Sequence, residues 1–157
     1  MAVLKFLMTT AIIVSTTSLC WAAETFTKEQ FSSLKNFSSQ KMLNDEKETD
    51  YRVLYFWATW CPDCKEKITG DLNSVASSRV QVYAVATDKD SAKIQDYLTT
   101  NKVLVPVLED KDKKFQKMAQ VFAVPTVMVF KKAGTSYERI FVKSGATTSE
   151  IKEQVQL

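Results

Sequence analysis

Apolar positions along the chain fall into two kinds of run, and their order predicts a fold. Val53 to Trp57 (VLYFW) is apolar without alternation, the pattern of a central strand covered on both faces. Val80 to Ala86 (VQVYAVA) reads as a second strand, dense in β-branched and apolar residues. Leu104 to Leu108, which contains Pro106, is a shorter strand-like piece, and Val127 to Phe130 is another strand. Lys131 to Ser136, with Ala133-Gly134 inside it, reads as a hairpin turn returning along Tyr137 to Val142. Between these runs the spacing turns helical. Thr27-Lys28-Glu29-Gln30 fits a capping box, flanked by a Phe26/Phe31 staple, so a helix is expected from about Lys28. A second helix is expected to open at the cysteines and reach Ile68-Thr69, ended or kinked by Gly70, with Leu72, Val75 and Ala76 suggesting a further helical piece. Ile94, Tyr97 and Leu98 form the stripe of a helix through Thr99, capped by Asp88 or Asp90. Phe115, Met118, Ala119 and Phe122 recur at three- and four-residue spacing and predict a helix over Asp112 to Phe122. Thr147-x-x-Glu150 is a second capping box, opening a last helix through Val155. Asn44 to Asp50 is polar and reads as a surface loop. Strands alternate with helices and end in an antiparallel pair. That order implies an α/β fold, a mixed sheet flanked by helices on both faces.

The end of the central run carries the chemistry. Directly after it come Trp60-Cys61-Pro62-Asp63-Cys64 and then helix-favouring Lys65-Glu66-Lys67. A helix N-terminus stabilises an anion through its free amides and its dipole. A Cys61 placed there has its thiolate favoured and its pKa lowered. Pro62 suits the first helical turn, where its missing N–H is not needed. Cys64 follows one turn later on the same face, within reach of a disulfide to Cys61.

Composition narrows what this pair can be. A chain of 157 residues, 45% hydrophobic and 25% charged, suits one ordinary domain with its own core. The N-terminus is read separately. Lys5, the apolar stretch Phe6 to Val14 and the small residues ending at Ala22-Ala23 have the tripartite form of a secretory signal, assigned to residues 1–22. Its apolar core is shorter than the ~20 residues a membrane span needs. The domain is then 23–157, with residues 23–50 only loosely assigned. Cleavage after Ala22 removes Cys20 and leaves Cys61 and Cys64; lipoprotein anchoring at Cys20 is the lesser alternative, because Leu19 is bulky where such signals want a small residue. The net charge of +3 is dispersed, with no basic block to bind nucleic acid. The chain has no histidine and no further cysteine to complete a zinc site. A two-thiolate copper(I) site stays open on ligand softness alone. A monomer is the default expectation.

Together, Phe56-Trp57-Ala58-Thr59-Trp60-Cys61-Pro62-Asp63-Cys64, Val124-Pro125-Thr126 about 60 residues on, and Gly134 in the hairpin resemble the thioredoxin superfamily. Within it the chain is similar to the extracytoplasmic TlpA/ResA/CcmG-like branch, whose insertion the stretch Val80 to Asp110 resembles. The likeness runs from about Val53 to the C-terminus. It implies a thiol-disulfide oxidoreductase with Cys61 and Cys64 as its redox pair and no other cofactor. It also implies a cis Pro125 facing that pair, and a docking surface of Trp60, Pro62, Asp63, Val124 and Pro125. The implied partners are protein thiols or disulfides and a membrane-bound thiol-disulfide donor, in the periplasm or another extracytoplasmic space. A reductant is the favoured direction, with apocytochrome c as one example of a substrate; an oxidase or isomerase is the alternative. Two positions depart from the pattern. Tyr55 stands where thioredoxins keep a buried acid, and Lys67 where the branch has a glutamate, with Glu66 beside it.

Overall fold

The run read as the central strand lies in the middle of the sheet. A computed structural model describes residues 24–110 and 112–156. The signal assigned to 1–22, with Cys20, lies outside the described residues, as does Ala23 at the start of the expected domain. Elements run in the order β1 (Thr25–Thr27), β2 (Lys35–Asn36), β3 (Tyr51–Trp57), α1 (Pro62–Thr69), β4 (Val80–Ala86) and α2 (Ser91–Thr100). They continue with β5 (Val107–Glu109), α3 (Lys114–Met118), β6 (Thr126–Ala133), β7 (Ser136–Ser144) and α4 (Thr148–Val155). Among the described residues they form one mixed sheet of seven strands in the order β1-β7-β6-β3-β4-β5-β2. β3 pairs parallel with β4 and antiparallel with β6, and all seven of its residues are buried.

Alternate residues of β3 feed two cores, as the two-residue period of a strand requires. Tyr51, Val53, Tyr55 and Trp57 pack with Ile68 of α1, Ile94 of α2 and Ile151 and Val155 of α4. Leu54 and Phe56 face the other way, toward Phe31, Leu34, Leu43 and Phe115. That second core is aromatic, with Phe31 edge-on to Phe130 at 5.3 Å and to Tyr137 at 5.5 Å between ring centroids. Arg52 is fully buried there too, its guanidinium 4.4 Å from the Tyr137 ring centroid. A desolvated cation–π contact of this kind contributes about 2 kcal/mol. Helices on both faces of a mixed sheet are the architecture expected.

The N-terminal segment finds its place at both edges of that sheet. β1 pairs with β7 at one edge and β2 with β5 at the other, which covers strand edges otherwise open to pairing with another chain. The helix expected from Lys28 is a 3-10 helix, Lys28–Ser33. Its box is formed, with the Thr27 N–H donating to Gln30 Oε1 at 2.7 Å, but Ser32-Ser33 are weak helix formers. The piece after Gly70 is likewise a 3-10 helix, Asp71–Val75. A Cβ on Gly70 would lie 2.8 Å from the Glu66 carbonyl oxygen, so only glycine ends α1 this closely.

Two other expectations change. The strand expected from Leu104 begins at Val107, because Pro106 has no N–H to pair and contributes only its carbonyl, to Ala84 N at 2.9 Å. The helix expected over Asp112 to Phe122 covers only Lys114–Met118. Its first turn is fastened by Asp110, whose carboxylate accepts from Gln116 N at 2.9 Å. Gln120 adopts a left-handed φ of 59°, the kind of backbone turn that stops a helix.

At the C-terminus Thr147 Oγ1 accepts from Glu150 N at 3.3 Å, and Glu150 Oε2 accepts from Thr147 N at 2.9 Å. Hydrogen bonding to Lys143, then to the Thr147 backbone, holds the Glu150 carboxyl well below the usual carboxylate range. A depressed carboxyl adds stability above its unfolded pKa and loses it as pH falls. Thr147→Ala is therefore expected to lower unfolding stability by about 1 kcal/mol. Glu150→Gln is expected to flatten the acid limb of stability against pH. Urea titrations from pH 7 down to pH 3 check both, and an acid limb unchanged in Glu150→Gln would contradict the second.

Candidate active site

The cysteines lie where β3 gives way to α1. Cys61 N–H donates to the Ala58 carbonyl at 3.1 Å, closing a tight turn, and Cys61 caps α1 with extended backbone (φ −97°, ψ 106°). Pro62 opens the helix, as its fixed φ and missing N–H allow. Cys61 and Cys64 are joined by a disulfide with their Cα atoms 5.3 Å apart. The Cys64 N–H points at Cys61 Sγ, 3.3 Å away. Cys64 is fully buried and Cys61 is 6% exposed. Cys61 therefore keeps the small share of exposed surface that the pair has, and Cys64 has none. In the reduced pair, the amide and the helix dipole favour negative charge at Cys61.

The other predicted residues surround this pair. Trp60 is 70% exposed, and Pro62 and Asp63 are exposed beside it. Trp57 is wholly buried against Tyr97. Val124 and Pro125 are half-buried, and their peptide bond is cis. Thr126 pairs with Phe56 across β6 and β3, so the Val124-Pro125 loop and the cysteine turn leave adjacent strands at the same end of the sheet. Trp60 and Val124 line one cleft of about 190 Å³.

The two departures from the thioredoxin pattern have structural consequences. Tyr55 is buried in the same core as both cysteines. Burial, reinforced by the negative charges of Asp63 and Asp71, pushes its phenol far up, so it stays neutral. Lys67 turns away to Asp71 at 3.2 Å and Thr148 at 3.4 Å. Glu66 is exposed on α1. Tyr55 therefore offers Cys64 no base at neutral pH, and Lys67 is engaged elsewhere.

Sequence reasoning missed two groups. Asp88 shared the helix-cap role with Asp90 in the pattern, but Asp90 alone caps α2, through Ala92 N at 3.0 Å. Asp88 instead accepts from Thr59 N at 2.9 Å and from Thr59 Oγ1 at 2.6 Å. It ties the end of β4 to the turn carrying Cys61. Two caps competing for one helix was the available signal. Phe122 was placed in a buried stripe by its spacing, yet it is 90% exposed and lines the cleft with Trp60. The signal there was Pro125, which excludes a helix continuing through Val124.

No helix among the described residues is long and apolar enough to cross a membrane. Those residues also hold no group of three or more His, Cys, Asp or Glu able to hold a metal.

Comparison with known proteins agrees with this geometry. The model of the AhpC/TSA family matches residues 23–137. A thioredoxin-like protein of Haemophilus influenzae is 32% identical over 98 residues, 62% of this chain and 56% of that one. The sporulation thiol-disulfide oxidoreductase A of Bacillus subtilis is 25% identical over 88 residues, 52% and 53% of the two chains. The chain thus spans about half the length of these curated relatives. The crystal structure of StoA from Bacillus subtilis superposes with a TM-score of 0.64 at 20% identity, covering 86% of this chain and 98% of that one. The last likeness shows the fold, a thioredoxin-like one. The match over 23–137 shows the family: the chain belongs to the AhpC/TSA family.

Asp88→Ala removes two hydrogen bonds to a charged acceptor, each contributing about 1.5–3 kcal/mol. The expected result is a loss of about 2–4 kcal/mol in denaturant unfolding, with Asp88→Asn losing less. Equal stability of Asp88→Ala and the parent would remove Asp88 from the support of the turn.

Proposed function

We propose that the protein is an extracytoplasmic thiol-disulfide oxidoreductase that reduces disulfides of partner proteins. The observation that carries this reading is the Cys61–Cys64 pair itself, with Cys61 reachable at the N-terminus of α1 and Cys64 buried behind it. The Bacillus subtilis relative bears the name of a thiol-disulfide oxidoreductase, and the same chemistry suits this site.

In the reducing direction the Cys61 thiolate attacks one sulfur of a substrate disulfide. A Cys61–substrate disulfide forms, and the other substrate sulfur leaves as a thiolate. Cys64, once deprotonated, attacks Cys61 Sγ, and the substrate's second sulfur leaves. Two electrons pass from the Cys61/Cys64 dithiol to the substrate. The protons lost by the dithiol end on the two substrate thiols. With Tyr55 neutral and Lys67 held by Asp71, the Cys64 proton leaves to solvent or to the departing thiolate. No further cofactor enters. The Val124 backbone before Pro125 pairs with the substrate chain as a short added strand, with Trp60, Pro62 and Asp63 alongside.

The N-terminal segment supports an extracytoplasmic location, where a membrane-bound thiol-disulfide donor returns the pair to its dithiol form and the chain acts as a monomer. Apocytochrome c is one substrate such a reductant serves. Asp63 disfavours a thiolate at Cys61 while Lys65 and the helix dipole favour it, so the direction rests on the potential. A value well below about −200 mV supports a reductant, and one near about −120 mV makes the protein an oxidant. Cys61→Ser is expected to abolish insulin reduction with dithiothreitol. Cys64→Ser is expected to accumulate a covalent insulin adduct that dithiothreitol releases. Full activity in either variant would contradict the mechanism.

A further inference from the structure

The cleft beside Cys61 is built asymmetrically. One side of it is apolar, formed by the exposed rings of Trp60 and Phe122 with Val124. Its polar side chains are those of Thr87, Lys113 and Gln116. Among the described residues Lys113 is the one charged residue lining it, half-buried and in no ion pair. Gln116, 7% exposed, lines it as well, and its buried Nε2 has no hydrogen-bond partner among the described residues. No carboxylate lines the cleft: Asp110 is occupied by Phe115 N and Gln116 N, and Asp88 by Thr59. The volume of about 190 Å³ suits a single side chain rather than a free small-molecule ligand.

We infer that this cleft selects substrate segments carrying an acidic side chain within two residues of the reacting cysteine. The carboxylate pairs with Lys113, while its methylene stem and the neighbouring chain cover Phe122 and Trp60. An extended chain advances about 3.3 Å per residue, so a residue one or two places from the substrate cysteine reaches the cleft once that cysteine meets Cys61. The inference deepens the proposed activity and rests on it. Phe122 and Lys113 are thereby specificity-determining residues, and their placement has a local cause. α3 is short, with left-handed backbone at Lys113 before it and Gln120 after it, which brings both side chains to the rim.

The test uses the reduced full chain and three peptides. They are identical except for Glu, Ala or Lys at the two positions on each side of one cysteine, which is capped as a mixed disulfide with mercaptoethanol. Neutral hydroxyethyl disulfide is run with the parent protein as the reference. The Glu peptide is expected to be reduced roughly fivefold faster than the Lys peptide at low ionic strength, the ratio shrinking with salt. Lys113→Glu is expected to invert the order, and Lys113→Ala to abolish it. Equal rates for all three peptides with hydroxyethyl disulfide still reduced overturns the inference alone. A preference that survives unchanged in both variants also overturns it, because the selecting charge then lies elsewhere. Failure to reduce even hydroxyethyl disulfide overturns the thiol-disulfide reading beneath it.

Discussion

The site depends on the pairing of β3 with both of its neighbours. Antiparallel to β6 and parallel to β4, β3 ends where Phe56 meets Thr126 and Trp57 meets Ala86. That register places three loops at one end of the sheet: the cysteine turn after β3, the Val124-Pro125 loop before β6, and Asp88 just past β4. A slip of one residue would turn Trp57 and Tyr55 to the opposite face and separate the turn from its supports. The wholly buried β3 makes such a slip costly, since each large apolar side chain contributes about 1.5–3 kcal/mol on burial.

Within that frame the chemistry is divided by burial. Cys61 caps α1 and remains reachable, and Cys64, one turn on, is sealed beneath it. Tyr55 keeps the floor of the site neutral, where a carboxyl would accept a proton. The thiolate is therefore governed by the helix N-terminus and by the charges of Asp63 and Lys65, not by a buried base. Phe122 and Lys113 reach the rim because α3 stops early.

The strands, the mixed order and the cysteine pair were legible because each rests on local pattern: an unbroken apolar run, β-branched density, and cysteines three residues apart after a strand. The capping boxes at Thr27 and Thr147 were legible for the same reason. What escaped depends on partners distant in sequence. Strands of three and two residues at the sheet edges have no periodicity to read, and only pairing with β7 and β5 defines them. Arg52 adjoins an apolar run as a charged residue, and its burial follows from Tyr137 and Phe31 lying on the same face. Asp88 could be placed on Thr59 only once β3 and β4 were known to be neighbours. Phe122 kept helical spacing with Phe115, but the left-handed Gln120 breaks the helix between them.

The most direct measurement is the rate of partial alkylation of the reduced protein against pH, with each labelled cysteine identified by peptide mapping. The account predicts that Cys61 is labelled first, with an apparent pKa below the ~8.5 of a free cysteine, while Cys64 stays unlabelled until the fold opens. Labelling of Cys64 at an equal or greater rate, or a Cys61 thiol titrating at or above ~8.5, would contradict it.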